Sequence, residues 1–197
     1  MKTARLMALV ALFSAATFAQ VNWGVDKSHS NVMFNVTHMV ISEVTGFFKA
    51  YDGKFSSKSD ADWNGAQIDF TIETKSIFTD NEKRDDHLRS DDFFNAEKYP
   101  SIVFKSKSMK KESGNKYKLT GDLTIRDVTK QVTLDVDFKG NVKDGWGNER
   151  AAFRIKGSVN RLDFNLKWNA LLETGGAVVG KDVEIAANIQ LIKEKKK

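Results

Sequence analysis

KLTGDLTIRDVTKQVTLDVDF, residues 118–138, holds two apolar runs separated by a break. Leu119, Leu123 and Ile125 share one parity; Val132, Leu134, Val136 and Phe138 share another beyond residues 126–130. A β-strand turns successive side chains to opposite faces, so apolar residues at alternate positions set one face on a core and leave the other in water. Two such runs flanking a short polar break predict a pair of antiparallel strands.

The same alternation extends in both directions. Val32, Phe34, Val36 and His38 fall on one face of a strand, with Met33, Asn35, Thr37 and Met39 on the other. Ile68, Phe70 and Ile72 oppose Gln67, Asp69, Thr71 and Glu73, and Ile102 and Phe104 oppose Val103, Lys105 and Lys107. Phe153, Ile155 and Val159 make another strand, and Val183, Ile185, Ala187, Ile189 and Leu191 a last long one. Near residues 46–53 the parity slips, as it does in a bulged or bent strand. Turn signals at Asp52-Gly53, Asn64-Gly65, Ser113-Gly114, Asp144-Gly145 and Gly175-Gly176 divide the runs. The count is about eight strands, each apolar on one side only, which suits a closed antiparallel barrel. A two-layer sandwich would carry the same pattern.

One segment departs from it. NEKRDDHLRSDDFF, residues 81–94, crowds charges around one of only three histidines. Thr79 with Glu82 three residues on predicts a capping box and a short helix, with acidic residues at its positive end. A second short helix is expected from about Ser90 to just before Pro100. Together they predict a helical insertion at about residues 80–98.

The ends have their own signatures. Lys2 and Arg5, an apolar run from Leu6 to Phe13 and the small-residue exit Thr17-Phe18-Ala19 predict an export signal cleaved after Ala19, too short for a membrane span. The expected mature product is a single domain at 20–192 with a basic tail at 193–197, delivered to a periplasm or secreted. There is no cysteine, hence no disulfide and no thiolate chemistry. The net charge of +5 sits in the two ends; residues 20–192 carry 25 basic and 25 acidic side chains. A neutral body lacks the field that nonspecific nucleic-acid binding needs. The lysine tail predicts at most a peripheral contact with anionic lipid.

Several motifs taken together resemble the YceI-like family of polyisoprenoid-binding, lipocalin-like exported proteins. They are Asp26-x-x-His29-Ser30-x-Val32-x-Phe34-x-Val36-x-His38, Val44-x-Gly46-x-Phe48 and Arg84-Asp85-x-His87-Leu88. Phe93-Phe94, Tyr99-Pro100, Phe104-x-Ser106 and Gly121-x-Leu123-Thr124-Ile125 follow in order, then Val128-Thr129-Lys130, Asn160-Arg161, Asp163-Phe164, Gly180 and Val183. Asp127, Gln131 and Asn165 depart from the pattern; Asn165 stands where glycine is usual and can itself adopt positive φ. The resemblance implies an all-β, eight-stranded antiparallel lipocalin-like barrel around an elongated apolar cavity. Its ligand would be a long-chain amphipathic lipid, an isoprenoid or isoprenoid quinone; three histidines at 29, 38 and 87 without a close pair make a weak metal signal, and no metal or other cofactor is expected. A homodimer is compatible with it.

On these readings Phe34, Val36, His38, Phe48, Phe70, Ile72, Phe104, Leu123 and Phe153 line the cavity. Arg84, His87, Leu88, Phe93 and Trp168 form the head-group rim. His38 has two readings, a core histidine satisfied by one neighbour or a cavity donor to a ligand oxygen. Arg84 is expected to grip an anionic or carbonyl head. A rival reading makes Arg84, Asp85 and His87 a hydrolase-type centre, although Asp85 and His87 lie two apart on a helix and face different ways. A third makes the chain a stress or interaction protein with a filled interior. Arg161 and Asp163, at alternate positions, are expected to share a strand face, in an ion pair or a cross-strand bridge.

Overall fold

A computed structural model describes residues 20–173 and 175–195. The expected export signal and the last two lysines of the tail lie outside the described residues. Strands β1 (Val21–Val25), β2 (Asn31–His38), β3 (Ser42–Phe48), β4 (Tyr51–Ser57), β5 (Gln67–Glu73) and β6 (Ile77–Phe78) precede helix α1 (Glu82–Arg89). Strands β7 (Ser101–Ser113), β8 (Lys116–Ile125), β9 (Val128–Lys143), β10 (Glu149–Asn160) and β11 (Val179–Lys193) follow it.

These make eight long strands, because three of them are broken at a bend. β1 and β2 both pair with β11, through Leu191–Lys193 and Val179–Asn188, and are separated by a 3-10 turn at Lys27–His29. β3 and β4 are separated only by Lys49 and Ala50, and β5 and β6 only by Thr74–Ser76. The two corners bend together: Lys49 N–H donates to Ser76 O (3.0 Å) and Glu73 N–H to Ala50 O (2.9 Å). This is the parity slip near residues 46–53. Every strand pairs antiparallel with its neighbours in sequence, and β1 against β11 shuts the ring. The expected eight-stranded closed barrel is what the chain forms, and closure removes the free edges an open sheet would expose.

The interior is solid at one end and hollow at the other. At the closed end Trp63, brought in by the loop between β4 and β5, packs against Trp23 (5.3 Å between ring centroids), Phe153 (4.5 Å) and Phe138 (6.1 Å). Met109, Tyr117 and Leu191 complete a floor with almost no exposure. Toward the other end the inward-facing Phe34, Val36, Phe70, Ile72, Val132, Ile155, Val183 and Ile185 are only half-buried. Side chains that point inward and still keep accessible surface border a void.

The insertion differs from its sequence reading in two ways. α1 is capped by Asn81, whose side chain accepts from Arg84 N–H (3.0 Å); Thr79 lies outside the cap and bonds Asp85 instead. Asn and Thr both cap well, and the residue with the extended backbone directly before Glu82 takes the position. The expected second helix is a run of turns, with Asn95 at φ 46°. The β8–β9 connection is also tighter than residues 126–130: Ile125 already pairs with Val128, leaving Arg126 (φ 54°) and Asp127 as the turn.

Candidate ligand cavity

The void is a single bore of about 190 Å³. Its wall is built from alternate residues of successive strands: Val32, Phe34 and Val36 from β2, Phe48 and Phe55 from the bent β3–β4 strand, Ile68, Phe70 and Ile72 from β5. Ile102 and Phe104, Leu119, Leu123 and Ile125, Val132 and Leu134, and Ile155 and Val159 continue it round to Val183, Ile185, Ala187 and Ile189 on β11. Leu88, Phe93, Phe94 and Leu166 come in from the mouth end. The wall offers essentially no polar surface. Its width depends on missing side chains as much as present ones. The Phe34 ring lies across Gly46, where an added Cβ would stand 2.2 Å from Cζ, and the Phe104 ring lies across Gly121 (2.5 Å).

Of the expected lining residues, Phe34, Val36, Phe48, Phe70, Ile72, Phe104 and Leu123 stand in the wall, while His38 and Phe153 do not. Phe153 pairs with Phe138 and Ile189 low in the barrel and belongs to the floor. His38 ends β2 at the turn, beyond the wall, where alternation no longer carries a side chain over the bore.

Of the expected rim, Leu88 and Phe93 reach the wall, while Arg84, His87 and Trp168 stay outside it. Arg84 folds back on its own loop: Nε donates to Thr79 Oγ1 (2.7 Å) and Nη2 to Thr79 O (2.6 Å). Two of its five N–H donors are thus spent on its own loop, and the side chain staples that loop outside the bore wall instead of reaching over it. His87 Nε2 donates to Asp92 Oδ2 (2.8 Å), and its ring stands edge-on to Phe93 (5.1 Å) and Trp168 (5.0 Å). Asp85 is buried and accepts from Thr79 N–H (2.8 Å) and Thr79 Oγ1–H (2.5 Å). Asp85 and His87 are therefore not a pair, and Ser90 Oγ–H donates to His87 O (2.8 Å) rather than to the imidazole. The three residues of the hydrolase reading do not converge on one point.

Two arginines without any periodic signal in the sequence, Arg161 and Arg126, organise the mouth. Arg161 opens a 3-10 turn, Arg161–Phe164, capped by Asn160. It turns inward to 3% exposure, while Asp163 turns outward to Lys130 of β9 (3.6 Å), so the two share no strand face and do not pair with each other. Arg161 Nε donates to Gly180 O (2.8 Å), Nη2 to Val179 O (3.0 Å), and Nη1 to Trp168 O (2.9 Å) and Leu166 O. Burial pushes its pKa below the ordinary value, though a guanidinium keeps its proton. Arg126, from the β8–β9 turn, donates through Nη1 to Phe93 O (2.6 Å), Asp91 O (3.1 Å) and Asn165 O (3.1 Å), and covers the Tyr99 ring at 5.5 Å. Loop carbonyls have no ladder partners and must find donors elsewhere. The five-donor guanidinium fork supplies several at once.

The family model described as "YceI-like domain" matches residues 23–191. Protein YceI of Escherichia coli O157:H7 is 36% identical over 188 residues, 93% of each chain. A solved Campylobacter jejuni YCEI protein superposes with a TM-score of 0.67 at 32% identity, covering 87% of this chain and 97% of that one. A polyisoprenoid binding domain from Saccharophagus degradans shares the fold, with a TM-score of 0.65 at 12% identity, covering 87% and 98%.

Proposed function

The chain belongs to the YceI-like family, and from that premise we propose that it is an exported, periplasmic carrier that holds the tail of a long-chain amphipathic lipid, an isoprenoid or isoprenoid quinone, in its bore. The observation that carries this reading is a preformed cavity whose wall has almost no hydrogen-bonding surface. Such a wall discriminates against anything but hydrocarbon, because a polar group placed there loses its water partners and gains none. The solved S. degradans relative is a polyisoprenoid binding domain of the same fold, in keeping with a hydrocarbon guest. The head group then stays at or beyond the mouth.

Magnitudes favour a carrier. Each methylene taken from water contributes about 0.8 kcal/mol. A segment of ~8 such groups, the length the resting bore accepts, contributes about 6 kcal/mol, which offsets the lower part of an association cost of about 4–15 kcal/mol, and only where the site is already shaped. A dry cavity of about 150 Å³ accepts a benzene. The resting bore therefore holds a segment of about eight carbons, and a longer tail turns aside the half-buried rings of Phe34, Phe70 and Phe94. Mass spectrometry of an organic extract of natively purified protein tests the reading. A prenyl or other long-chain species at near-stoichiometric yield is expected. Absence of lipid from the native extract and after challenge with prenyl alcohols, quinones and fatty acids would overturn it.

A further inference from the structure

Hairpin tips in water are ordinarily polar. The β2–β3 tip is Met39, Val40 and Ile41, with 43%, 65% and 89% of each residue exposed. The loop between Arg161–Phe164 and β11 sets Leu171, 85% exposed, beside it. The two tips are joined: Met39 N–H donates to Val178 O (2.8 Å), Leu171 bridges Ala177, and a Cβ on Gly176 would lie 3.3 Å from Val40 Cγ2. Val179, next to this join, is part of the bore wall and pairs with His38. The exposed apolar tip is thus tied by backbone bonds to a segment that enters the bore wall at Val179.

The backbone of the tip sharpens the point. Ile41 N–H closes a turn onto His38 O, and both central residues have positive φ, 52° at Met39 and 67° at Val40. That is the type I′ pattern, where Asn-Gly is favoured and a β-branched residue is a genuine outlier. The chain tolerates local strain to hold three aliphatic side chains out in solvent. We propose that this strained apolar tip, with Leu171, inserts into the surface of a lipid bilayer and sets the bore's mouth against the membrane.

Shape and charge favour a bilayer over a protein partner. The tip is a projecting aliphatic cluster, as interfacial insertion requires. Lys167 is set against Glu43 and Glu173 on these segments, and Lys181 already pairs with Asp182 (3.9 Å), so the patch has no cationic excess and docking there should not depend on anionic lipid. The lysine tail makes the opposite demand and leaves from the opposite end, since Lys193 pairs with Trp23 at the floor, where Trp146 is also exposed. The inference draws its purpose from the carrier reading, but vesicle partition is read without cargo, so either can fail alone.

Purified protein is floated with vesicles of pure phosphatidylcholine and of equimolar phosphatidylcholine and phosphatidylglycerol, at low and high salt. Equal, salt-insensitive partition is expected, falling about tenfold or more in Met39→Asn/Val40→Gly and in Ile41→Ser/Leu171→Ser. The first variant relaxes the turn and should melt above the wild type; if it melts lower, the second, which leaves the two strained residues alone, carries the test. Trp146→Ala at the floor should change nothing. Partition confined to anionic vesicles and abolished by salt, partition lost in Trp146→Ala but kept in the tip variants, or no partition with tip-dependent self-association in sedimentation would each overturn the proposal.

Discussion

At the scale of single residues, function-bearing chemistry was least legible where a charged side chain serves the backbone. Sequence offers a charge and a neighbour, so Arg161 pairs on paper with Asp163 and Arg84 with a ligand; neither can reveal that unladdered loop carbonyls nearby need donors. Alternation, by contrast, does name the inward residues, and Phe34, Ile72 and Leu123 stand where period two puts them. Asn165 keeps the positive φ (61°) of the glycine it replaces, and its side chain donates to Asp127, another departure from the family pattern (3.2 Å). One residue cluster sets a pH dependence. Arg150 bridges Asp26 and Asp144, tying the Lys27–His29 turn to the β9–β10 turn. Burial pushes the Asp26 carboxyl up, but hydrogen bonds from His29, Arg150 and Ser28 N–H hold it below its ordinary value; the Arg150 guanidinium holds Asp144 far below its own. Carboxylates depressed in the folded state stabilise it fully above their unfolded pKa of about 4 and stop doing so as pH falls through the folded value. The melting temperature should be flat from neutral pH to about 5 and decline steadily below about 4. In Arg150→Met it should start several degrees lower and decline less on acidification. An equal acid slope in that variant would contradict the assignment.

At the scale of elements, strands were legible and loops were not. A strand advertises itself through repeated parity, which survives the bends at Lys49-Ala50 and Thr74–Ser76 because the pattern restarts after each. The insertion has no such repeat. Its helix was readable from composition, but its second half is held by tertiary bonds to Arg126, which lies 33 and 35 residues from Phe93 and Asp91 and gives no local signal. The mouth elements are therefore latched rather than packed. Arg126→Met should destabilise the fold by about 2 kcal/mol, the scale of hydrogen bonds from a charged donor. Hydrogen exchange should quicken in residues 90–99 and at 165–168 while β8 to β11 stay protected. Release of a bound chain should quicken with it. Uniform loss of protection across the barrel would show that these loops are part of the global unfolding unit and not a latch.

At the scale of the whole molecule, the closed ring was readable from eight one-sided strands, yet closure alone does not decide between a filled core and a hollow one. The difference lies in a few distant matches: Gly46 under Phe34, Gly121 under Phe104, and a tryptophan from a loop, Trp63, that fills the floor and stops the bore short of it. None of these is a periodic signal. The resulting division gives the barrel a stable base and an upper half whose half-buried rings can yield to a guest. A carrier needs that upper half to receive a hydrocarbon chain. The direct measurement is isotope-filtered NMR of the protein with a carbon-13-labelled long-chain alcohol. Intermolecular contacts from the labelled methylenes to the Phe34 and Phe104 rings and the Leu123 and Ile185 methyls, fading before Trp63, are predicted. Contacts confined to the outer face of the molecule, or a saturated probe showing no contact with those side chains, would contradict it.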